Sequence, residues 1–127
     1  MIIGIGTDII EIQRISEAIH KTPTFLNRVY TKREQDYFTN NRKRMETLAG
    51  LFAAKEAVSK ALGTGFRQFS LGDIEVVPNA LGKPEVTLLP KAKEVAEKLG
   101  VLQIHITISH CQTYAVAYAI AQGDELR

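Results

Sequence analysis

The amino-acid sequence predicts an α+β fold in which helices pack on a mostly antiparallel sheet. Helical periodicity and helix-capping signals dominate the first half of the chain, whereas the second half holds short β-branched segments bounded by Gly, Pro or Asn. The chain has 127 residues, of which 45% are hydrophobic and 24% charged, which is ordinary for one compact domain. We therefore expect a single domain over residues 1–127.

The first two elements are a strand and a helix. Residues 1–12 are rich in isoleucine and predict a strand. Ile12, Ile15 and Ile19 then recur at helical spacing, so the strand is expected to run directly into a helix. Residues 22–23, Thr and Pro, end that helix.

Two further helices are predicted in the first half. The segment "TKREQDYFTNN" has Thr31 at a helix start and Glu34 three positions later, which is the capping-box pattern. The longest predicted helix runs roughly from Glu46 to Leu62, and the glycines of "GTG" end it.

The second half is dominated by strands. They are predicted in "DIEVVP", "PEVTLL", "QIHITISH" and "YAVAYAIA". The Asn, Gly and Pro of "NALGKP" predict a hairpin turn between the first two strands. The segment "KAKEVAEKLG" predicts a short amphipathic helix between the second and third strands.

The last predicted strand has two largely apolar faces. One face consists of Tyr114, Val116, Tyr118 and Ile120. The other consists of Ala115, Ala117, Ala119 and Ala121. A sheet covered by helices on one side needs only one such face, so two interpretations stay open: contact with another copy of the chain, or burial between two layers of one subunit.

Composition excludes several classes of protein. The formal net charge of +2 is too small to indicate a nucleic-acid partner by itself. No apolar run is long enough to span a bilayer, and "MIIGIGTDIIEI" has no basic region before Asp8, so neither an anchor nor a signal peptide is expected. Cys111 is the single cysteine, which leaves no internal disulfide and fits a reducing cytoplasm. The lack of a Cys/His cluster argues against structural zinc.

Positive charge is nevertheless concentrated before the longest predicted helix. The residues are Lys32, Arg33, Arg42, Lys43 and Arg44. From charge alone, the preferred interpretation is a solvated loop and helix face.

Glu56 and Lys60 lie one turn apart on the longest predicted helix. The apolar residues expected to face the core lie on the opposite side of that helix. An exposed i,i+4 ion pair would stabilise the helix by roughly 0.2–0.5 kcal/mol and is common, so spacing alone favours this interpretation. The alternative is a ligand site, which the neighbouring alanines together with Phe52 and Ser59 favour.

Asp8 follows two glycines on one face of the first strand. In an extended strand Gly4, Gly6 and Asp8 point to the same side, and glycine weakens a strand. The pattern indicates that a ligand or another backbone comes close to this face. Two roles for Asp8 stay open: a cap on the following helix, or a metal ligand together with Glu56. Two carboxylates with a few waters are the usual protein contribution to a Mg²⁺ ion held against phosphates.

His110 closes the segment "ITISH" at a strand end. It can donate to a phosphate or move a proton, although a half-exposed histidine at a strand end is more often without such a role. The sequence contains no Walker motif and no dinucleotide-binding glycine motif, and no Ser/His/Asp order indicates nucleophilic catalysis.

Four segments occur in the order of one known family. They are "GIGTDIIEI", "LAGLFAAKEAVSKALGTG", "GKP" and "ITISH", and the K-E-x-x-x-K block of the second is highly specific. Over nearly the whole chain they strongly resemble the holo-acyl-carrier-protein synthase family of 4'-phosphopantetheinyl transferases. The resemblance implies the 4'-phosphopantetheinyl transferase fold and a homotrimer with donor sites between adjacent subunits.

The resemblance also implies a reaction. A Mg²⁺-dependent enzyme would transfer the phosphopantetheine arm of coenzyme A to a serine of acyl carrier protein, leaving adenosine 3',5'-bisphosphate. Asp8 and Glu56 match the family's magnesium ligands. Lys60 matches the cation near the pyrophosphate, and Glu56, directly or through water, is the candidate base for the serine hydroxyl.

Further residues match the family's substrate contacts. By the same resemblance, coenzyme A contacts are expected from Arg42, Lys43, Arg44, Ser59, Lys60, Gly63, Lys83, Pro84 and His110. Arg14 and Arg28 lie where the family binds the acidic carrier protein. The family often has Arg at the position of Leu51 and Thr at that of Cys111, so individual donor contacts differ here.

Two other functions stay open on the residues alone. The same two acids would serve a magnesium-dependent phosphohydrolase in which water replaces the carrier serine. The basic stretch would instead serve a non-catalytic module that docks an acidic protein or RNA.

Overall fold

The structure, a computed structural model, describes residues 1–41, 44–63 and 68–125. The α-helices in these ranges are α1 (Ile12–Lys21), α2 (Phe25–Val29), α3 (Lys32–Asn40), α4 (Met45–Leu62) and α5 (Pro90–Leu99). The strands are β1 (Ile2–Glu11), β2 (Ile74–Pro78), β3 (Pro84–Leu88), β4 (Gln103–His110) and β5 (Tyr114–Gln122), and a 3-10 helix (Leu71–Asp73) precedes β2. Among the described residues, no helix combines the length and hydrophobicity needed to cross a bilayer.

Every strand pairing within the described residues is antiparallel. β5 is central in a three-stranded sheet of order β1-β5-β4, and β2 and β3 form a separate hairpin. The hairpin turn contains Gly82 at φ 86°, a conformation that favours glycine. α4 lies against all three strands of the larger sheet. The predicted α+β class, with helices on a mostly antiparallel sheet, is confirmed.

Glycines let α4 approach β1 closely. A Cβ atom on Gly4 would overlap the carbonyl oxygen of Ala61, and one on Gly6 would overlap that of Ala57. Both obstacles are backbone atoms of α4, which cannot move aside without shifting the helix. The sequence allows either a ligand or another backbone to lie close to these glycines. The structure shows that it is the backbone of α4.

Replacing Gly6 by alanine is expected to destabilise the fold by about 1–3 kcal/mol, the usual cost of overpacking a core. The added methyl group would overlap the Ala57 carbonyl oxygen, so β1 and α4 must separate. Urea unfolding followed by far-UV circular dichroism measures this loss. Thr7→Ala is the control, because Thr7 is exposed on the opposite face of the same strand and its side chain does not face α4. Native stability of the Gly6 variant would contradict the close packing.

Helix boundaries follow the sequence signals with small differences. The predicted capping box of α3 is confirmed: the Glu34 backbone N–H donates to Thr31 Oγ1, and the Thr31 N–H donates to Glu34 Oε1. α4 begins at Met45, one residue before the predicted start, and is followed by Gly63 at φ 74°. The sequence does not indicate α2 or the 3-10 helix, because five and three residues are too few to show periodicity.

The two faces of β5 have different surroundings. The four alanines face α4 and are at most 1% exposed. On the opposite side, Tyr118 is 56% exposed and Tyr114 is 44% exposed. Exposed isoleucines of β1 continue this surface, since Ile5 pairs with Ile120. No described element of the same chain covers this outer face of the sheet, so burial between two layers of one subunit is wrong.

α4 is buried on almost every side, which corrects the expectation of a helix with one core face. Beyond its first turn, only Phe52, Glu56 and Lys60 reach the surface. These three residues are spaced four apart and therefore form a single stripe along the helix. Lys55, in contrast, is 0% exposed.

Candidate active site

Asp8 and Lys60 form an ion pair between β1 and α4. The Lys60 Nζ atom lies 3.0 Å from Asp8 Oδ1 and donates a second hydrogen bond, of 2.9 Å, to the Thr7 carbonyl oxygen. The Asp8 side chain is 17% exposed and the Lys60 side chain 54%. The Lys60 side chain therefore contacts β1. The i,i+4 ion pair with Glu56 that the sequence spacing favours is not the main contact of Lys60.

Asp8 does not cap the helix that follows it. It lies inside β1, paired with Ala117 of β5, and the N-cap residue of α1 is Glu11, whose side chain makes no capping hydrogen bond. Asp8 points to the same face as Gly6, toward α4. The capping interpretation is therefore wrong, and the Asp8 carboxylate faces the helix that carries Glu56.

Glu56 lies half-buried one turn before Lys60. Burial raises the pKa of its carboxyl group, the negative charge of Asp8 raises it further, and the positive charge of Lys60 opposes both effects. Because Asp8 contacts Lys60 at 3.0 Å and Glu56 precedes Lys60 by one helical turn, the two carboxylates, far apart in the sequence, lie near each other in the fold. The structure thus brings together the two carboxylates and the ammonium that the sequence singles out.

Asp8 and Glu56 offer the type of oxygen ligand that a magnesium ion takes. Within the described ranges, no three His, Cys, Asp or Glu side chains cluster as a complete protein metal site. Mg²⁺ needs only one or two carboxylates when substrate phosphates and water supply its remaining ligands. A divalent cation between the two side chains would also relieve the repulsion that raises the pKa of Glu56.

Arg44 and His110 lie together at a second place, near the start of α4. They line a cavity of about 370 Å³ that Glu46 and Cys111 also line. Glu46 precedes Glu56 by ten residues, which corresponds to about 15 Å along an α-helix. Within one chain, these two predicted donor contacts are therefore separated from the carboxylates.

Lys83 and Pro84 lie at a third place. They line a cavity of about 620 Å³ formed by β3, α5, β4 and the segments next to them. The other predicted donor contacts are distributed along α4: Ser59 is 2% exposed inside the helix, and Gly63 follows its last turn. The predicted contacts at residues 42 and 43 lie outside the described residues.

The two arginines predicted to dock the carrier protein are exposed, Arg14 on α1 and Arg28 on α2. α2 adjoins the carboxylates, because its Phe25 stacks on Phe52 of α4 with ring centroids 6.1 Å apart. Phe52 lies one turn before Glu56. Both guanidinium groups are therefore exposed, and that of Arg28 lies on a helix that packs beside α4.

The core contains a buried ion pair, and neither of its residues is among the functional residues predicted from the sequence. Glu34 of α3 and Lys55 of α4 are 0% exposed, and Lys55 Nζ lies 2.6 Å from Glu34 Oε1. Burial raises the pKa of Glu34 and lowers that of Lys55, and each charge opposes the shift of the other. The sequence signal that points to such a pair is a lysine inside an otherwise apolar, alanine-rich helix.

Fold and site together define a class of protein. Two carboxylates and an ammonium held on a strand and a helix, without a flexible loop, are typical of enzymes that transfer phosphate-linked groups. The chain belongs to the 4'-phosphopantetheinyl transferase superfamily, whose family model matches residues 4–119, and it is an enzyme of that class. The resemblance carried by the four sequence segments is confirmed.

Individual relatives agree with this membership. The chain is 54% identical to the holo-[acyl-carrier-protein] synthase of Clostridium novyi over 124 residues, which cover 98% of this chain and 90% of the relative. It is similar in structure to the holo-[acyl-carrier-protein] synthase from Neisseria meningitidis, with TM-score 0.87, 35% identity and coverage of 96% and 99%. It is also similar to a holo-(acyl-carrier-protein) synthase from Bacillus anthracis in complex with CoA (3',5'-ADP), with TM-score 0.79, 36% identity and coverage of 98% and 99%.

Proposed function

We propose that this enzyme transfers the 4'-phosphopantetheine arm of coenzyme A to a serine of apo acyl carrier protein, which activates the carrier for fatty acid synthesis. The observation that carries the proposal is the convergence of Asp8, Glu56 and Lys60, because it combines metal-binding oxygens with a cation suited to a pyrophosphate. The relatives support the same donor and acceptor.

Lys60 is suited to stabilise the leaving group. In the proposed reaction, the serine oxygen bonds to the phosphorus that bears the pantetheine, and the bond from that phosphorus to the bridging oxygen breaks. Negative charge develops on the departing adenosine 3',5'-bisphosphate. The Lys60 ammonium is half-exposed and is held toward the strand by Asp8 and Thr7, so it can neutralise part of this charge without a large movement.

Asp8 and Glu56 would hold the magnesium ion that this chemistry implies. When bound, the ion supplies positive charge to the pyrophosphate oxygens. Each carboxylate lies on a rigid element, so their separation is set by the packing of Gly6 on Ala57 and needs no loop closure. Glu56, whose pKa is raised, is also our candidate for the group that accepts the serine proton, directly or through water.

We also propose a homotrimer with each donor site between adjacent subunits. The outer face of the sheet supports this proposal, because Ile5, Ile9 and Tyr118 are exposed there at 70%, 62% and 56% and form an apolar surface suited to a subunit contact. A site shared between subunits would also account for the donor contacts that lie apart from the carboxylates within one chain.

The proposed reaction takes place in the cytoplasm and requires neither a nucleic acid nor a membrane. The exposed, unpaired Cys111 supports this location, because a reducing compartment preserves a free thiol. The donor and the carrier protein are then the two substrates, and Mg²⁺ is the cofactor.

Incubating the protein with coenzyme A, Mg²⁺ and apo acyl carrier protein tests the proposal. Mass spectrometry should show the carrier heavier by one phosphopantetheine arm, with adenosine 3',5'-bisphosphate released in equal amount. Cleavage of coenzyme A without carrier modification would favour the phosphohydrolase. Absence of both reactions, together with carrier binding that Asp8→Ala leaves unchanged, would favour a docking module.

Arg14→Ala is expected to raise the apparent KM for the carrier protein by up to about fivefold, because one exposed charge contact is worth about 1 kcal/mol or less. The value of kcat and the KM for coenzyme A should stay near native. Carrier titrations at fixed coenzyme A and Mg²⁺ measure the change. Lys91→Ala, which removes an exposed cation from α5, is the control and should behave as native. An unchanged carrier titration for Arg14→Ala would remove this residue from the docking surface.

A further inference from the structure

The contact of α4 with β1 and β5 is made largely of small residues. The helix contributes buried alanines such as Ala57 and Ala61, β5 contributes its alanine face, and β1 contributes Gly4 and Gly6. Small side chains allow a close approach but form shallow ridges and grooves. Shape alone therefore resists rotation of α4 about its axis less than interlocking large side chains would.

Rotation of α4 matters because Glu56 extends from it toward the candidate site. A side chain on a helix reaches about 5–6 Å from the axis, so a rotation of about 10° moves its end by about 1 Å. A displacement of about 1 Å in a reacting group can lower a rate about 100-fold. The direction in which Glu56 points therefore depends on the directional contacts of α4, of which the Lys60–Asp8 pair is one.

Lys55, the residue before Glu56, makes such contacts. Its Nζ atom lies 2.6 Å from Glu34 Oε1 and donates hydrogen bonds of 3.1 Å and 2.6 Å to the carbonyl oxygens of Leu71 and Ile74. These acceptors belong to α3, the 3-10 helix and the start of β2. Because all three lie outside α4, they fix the orientation of the helix relative to the rest of the fold.

Glu34 is itself held from several directions. Its Oε1 atom accepts a hydrogen bond of 2.8 Å from the Thr31 backbone N–H, and its Oε2 atom accepts one of 2.7 Å from the Val76 N–H. Apolar residues of similar size often stabilise a core as well as a buried ion pair does or better. The stability of the fold therefore does not explain why this pair is charged. A need to fix the orientation of α4 does explain it.

We propose that Lys55, held by Glu34, is a positioning residue for Glu56. The inference rests on the proposed function, in which Glu56 acts at the donor site. Consecutive residues of an α-helix point about 100° apart, so fixing the direction of Lys55 also fixes that of Glu56. The contact of Gly6 with Ala57 sets the separation of helix and strand, and the ion pair sets the rotation of the helix.

The test uses the double variant Glu34→Gln with Lys55→Met, which fills a similar volume without a buried charge. It should fold, as far-UV circular dichroism and cooperative urea unfolding would show. Turnover of carrier protein should nevertheless fall at least about 10-fold. The affinity for Mn²⁺, used in place of Mg²⁺ and measured by electron paramagnetic resonance on the protein with coenzyme A and no carrier, should weaken in parallel.

Val95→Ala is the matched control, because it removes part of a buried side chain and lowers stability on α5, an element that supplies none of the hydrogen bonds to Lys55. Its turnover and Mn²⁺ affinity should be native. Native values of both quantities in the double variant would overturn the positioning role and leave a merely structural pair.

Glu34→Asp alone provides a second measurement if the double variant does not fold, because it leaves no buried charge without its partner and only shortens the acceptor by one methylene group. It keeps the hydrogen bonds from Lys55 to the Leu71 and Ile74 carbonyl oxygens, so a smaller loss of turnover, about two- to fivefold, is expected. Native turnover and native Mn²⁺ affinity in this variant would also overturn the positioning role. An inactive native protein would instead refute the proposed function, so the two failures are distinguishable.

Discussion

Replacing Glu56 by glutamine is expected to lower turnover by at least about 100-fold while leaving the fold intact. The substitution keeps the shape of the side chain and removes one of the two negative charges that would hold magnesium beside the pyrophosphate. It also removes the candidate acceptor of the serine proton. Because the pKa of Glu56 is raised by burial and by Asp8, its ionised form costs stability, and the variant should be at least as stable as the native protein.

Steady-state transfer assays across a magnesium titration, with saturating coenzyme A and carrier protein, measure the effect of the Glu56 substitution. Glu94→Gln is the matched control, because Glu94 is an exposed glutamate on α5 that pairs with Lys98. It should keep native turnover. Native turnover of the Glu56 variant at limiting magnesium would contradict the role assigned to this carboxylate.

Replacing Lys55 alone by methionine is expected to destabilise the protein by about 3–5 kcal/mol, the usual cost of removing one partner of a buried ion pair. The Glu34 carboxylate would stay in the core without its cation. Urea unfolding measures the loss, and adding Glu34→Gln to the same chain should recover most of it, because no charge is then left buried. The two substitutions are in contact, so their effects should not add.

Lys98→Met is the control for the Lys55 substitution. Lys98 is 70% exposed and pairs with Glu94 at 3.2 Å, and such surface pairs contribute little to stability. This variant should therefore unfold at nearly the native urea concentration. A Lys55 variant as stable as the native protein would contradict the description of a buried pair that depends on both charges.

The elements that carry the site could be predicted because their signals are local. The capping box at Thr31 and Glu34 places the start of α3, and Gly63 marks the end of α4. Both signals depend on residues within one turn of each other. Elements as short as α2 and the 3-10 helix carry no such pattern and depend on the surrounding fold.

The contacts within the site could be predicted only in part, because they connect distant parts of the chain. Spacing favours Glu56 as the partner of Lys60, yet the ammonium contacts Asp8 on another element. Gly6, two residues before Asp8, indicates that another group comes close to β1. A ligand and a neighbouring backbone would both require a residue without a side chain. Only the position of α4 shows that the neighbouring group is backbone. Glu34 likewise has a local role in a cap and a distant role as the partner of a buried lysine.

A crystal structure of the native protein with coenzyme A and Mg²⁺ tests the central claim most directly. The account predicts a single ion bound by one oxygen from Asp8, one from Glu56 and at least one from the pyrophosphate, with the Lys60 ammonium beside the same phosphates. A pyrophosphate held far from both carboxylates, or an ion that neither of them binds, would contradict it.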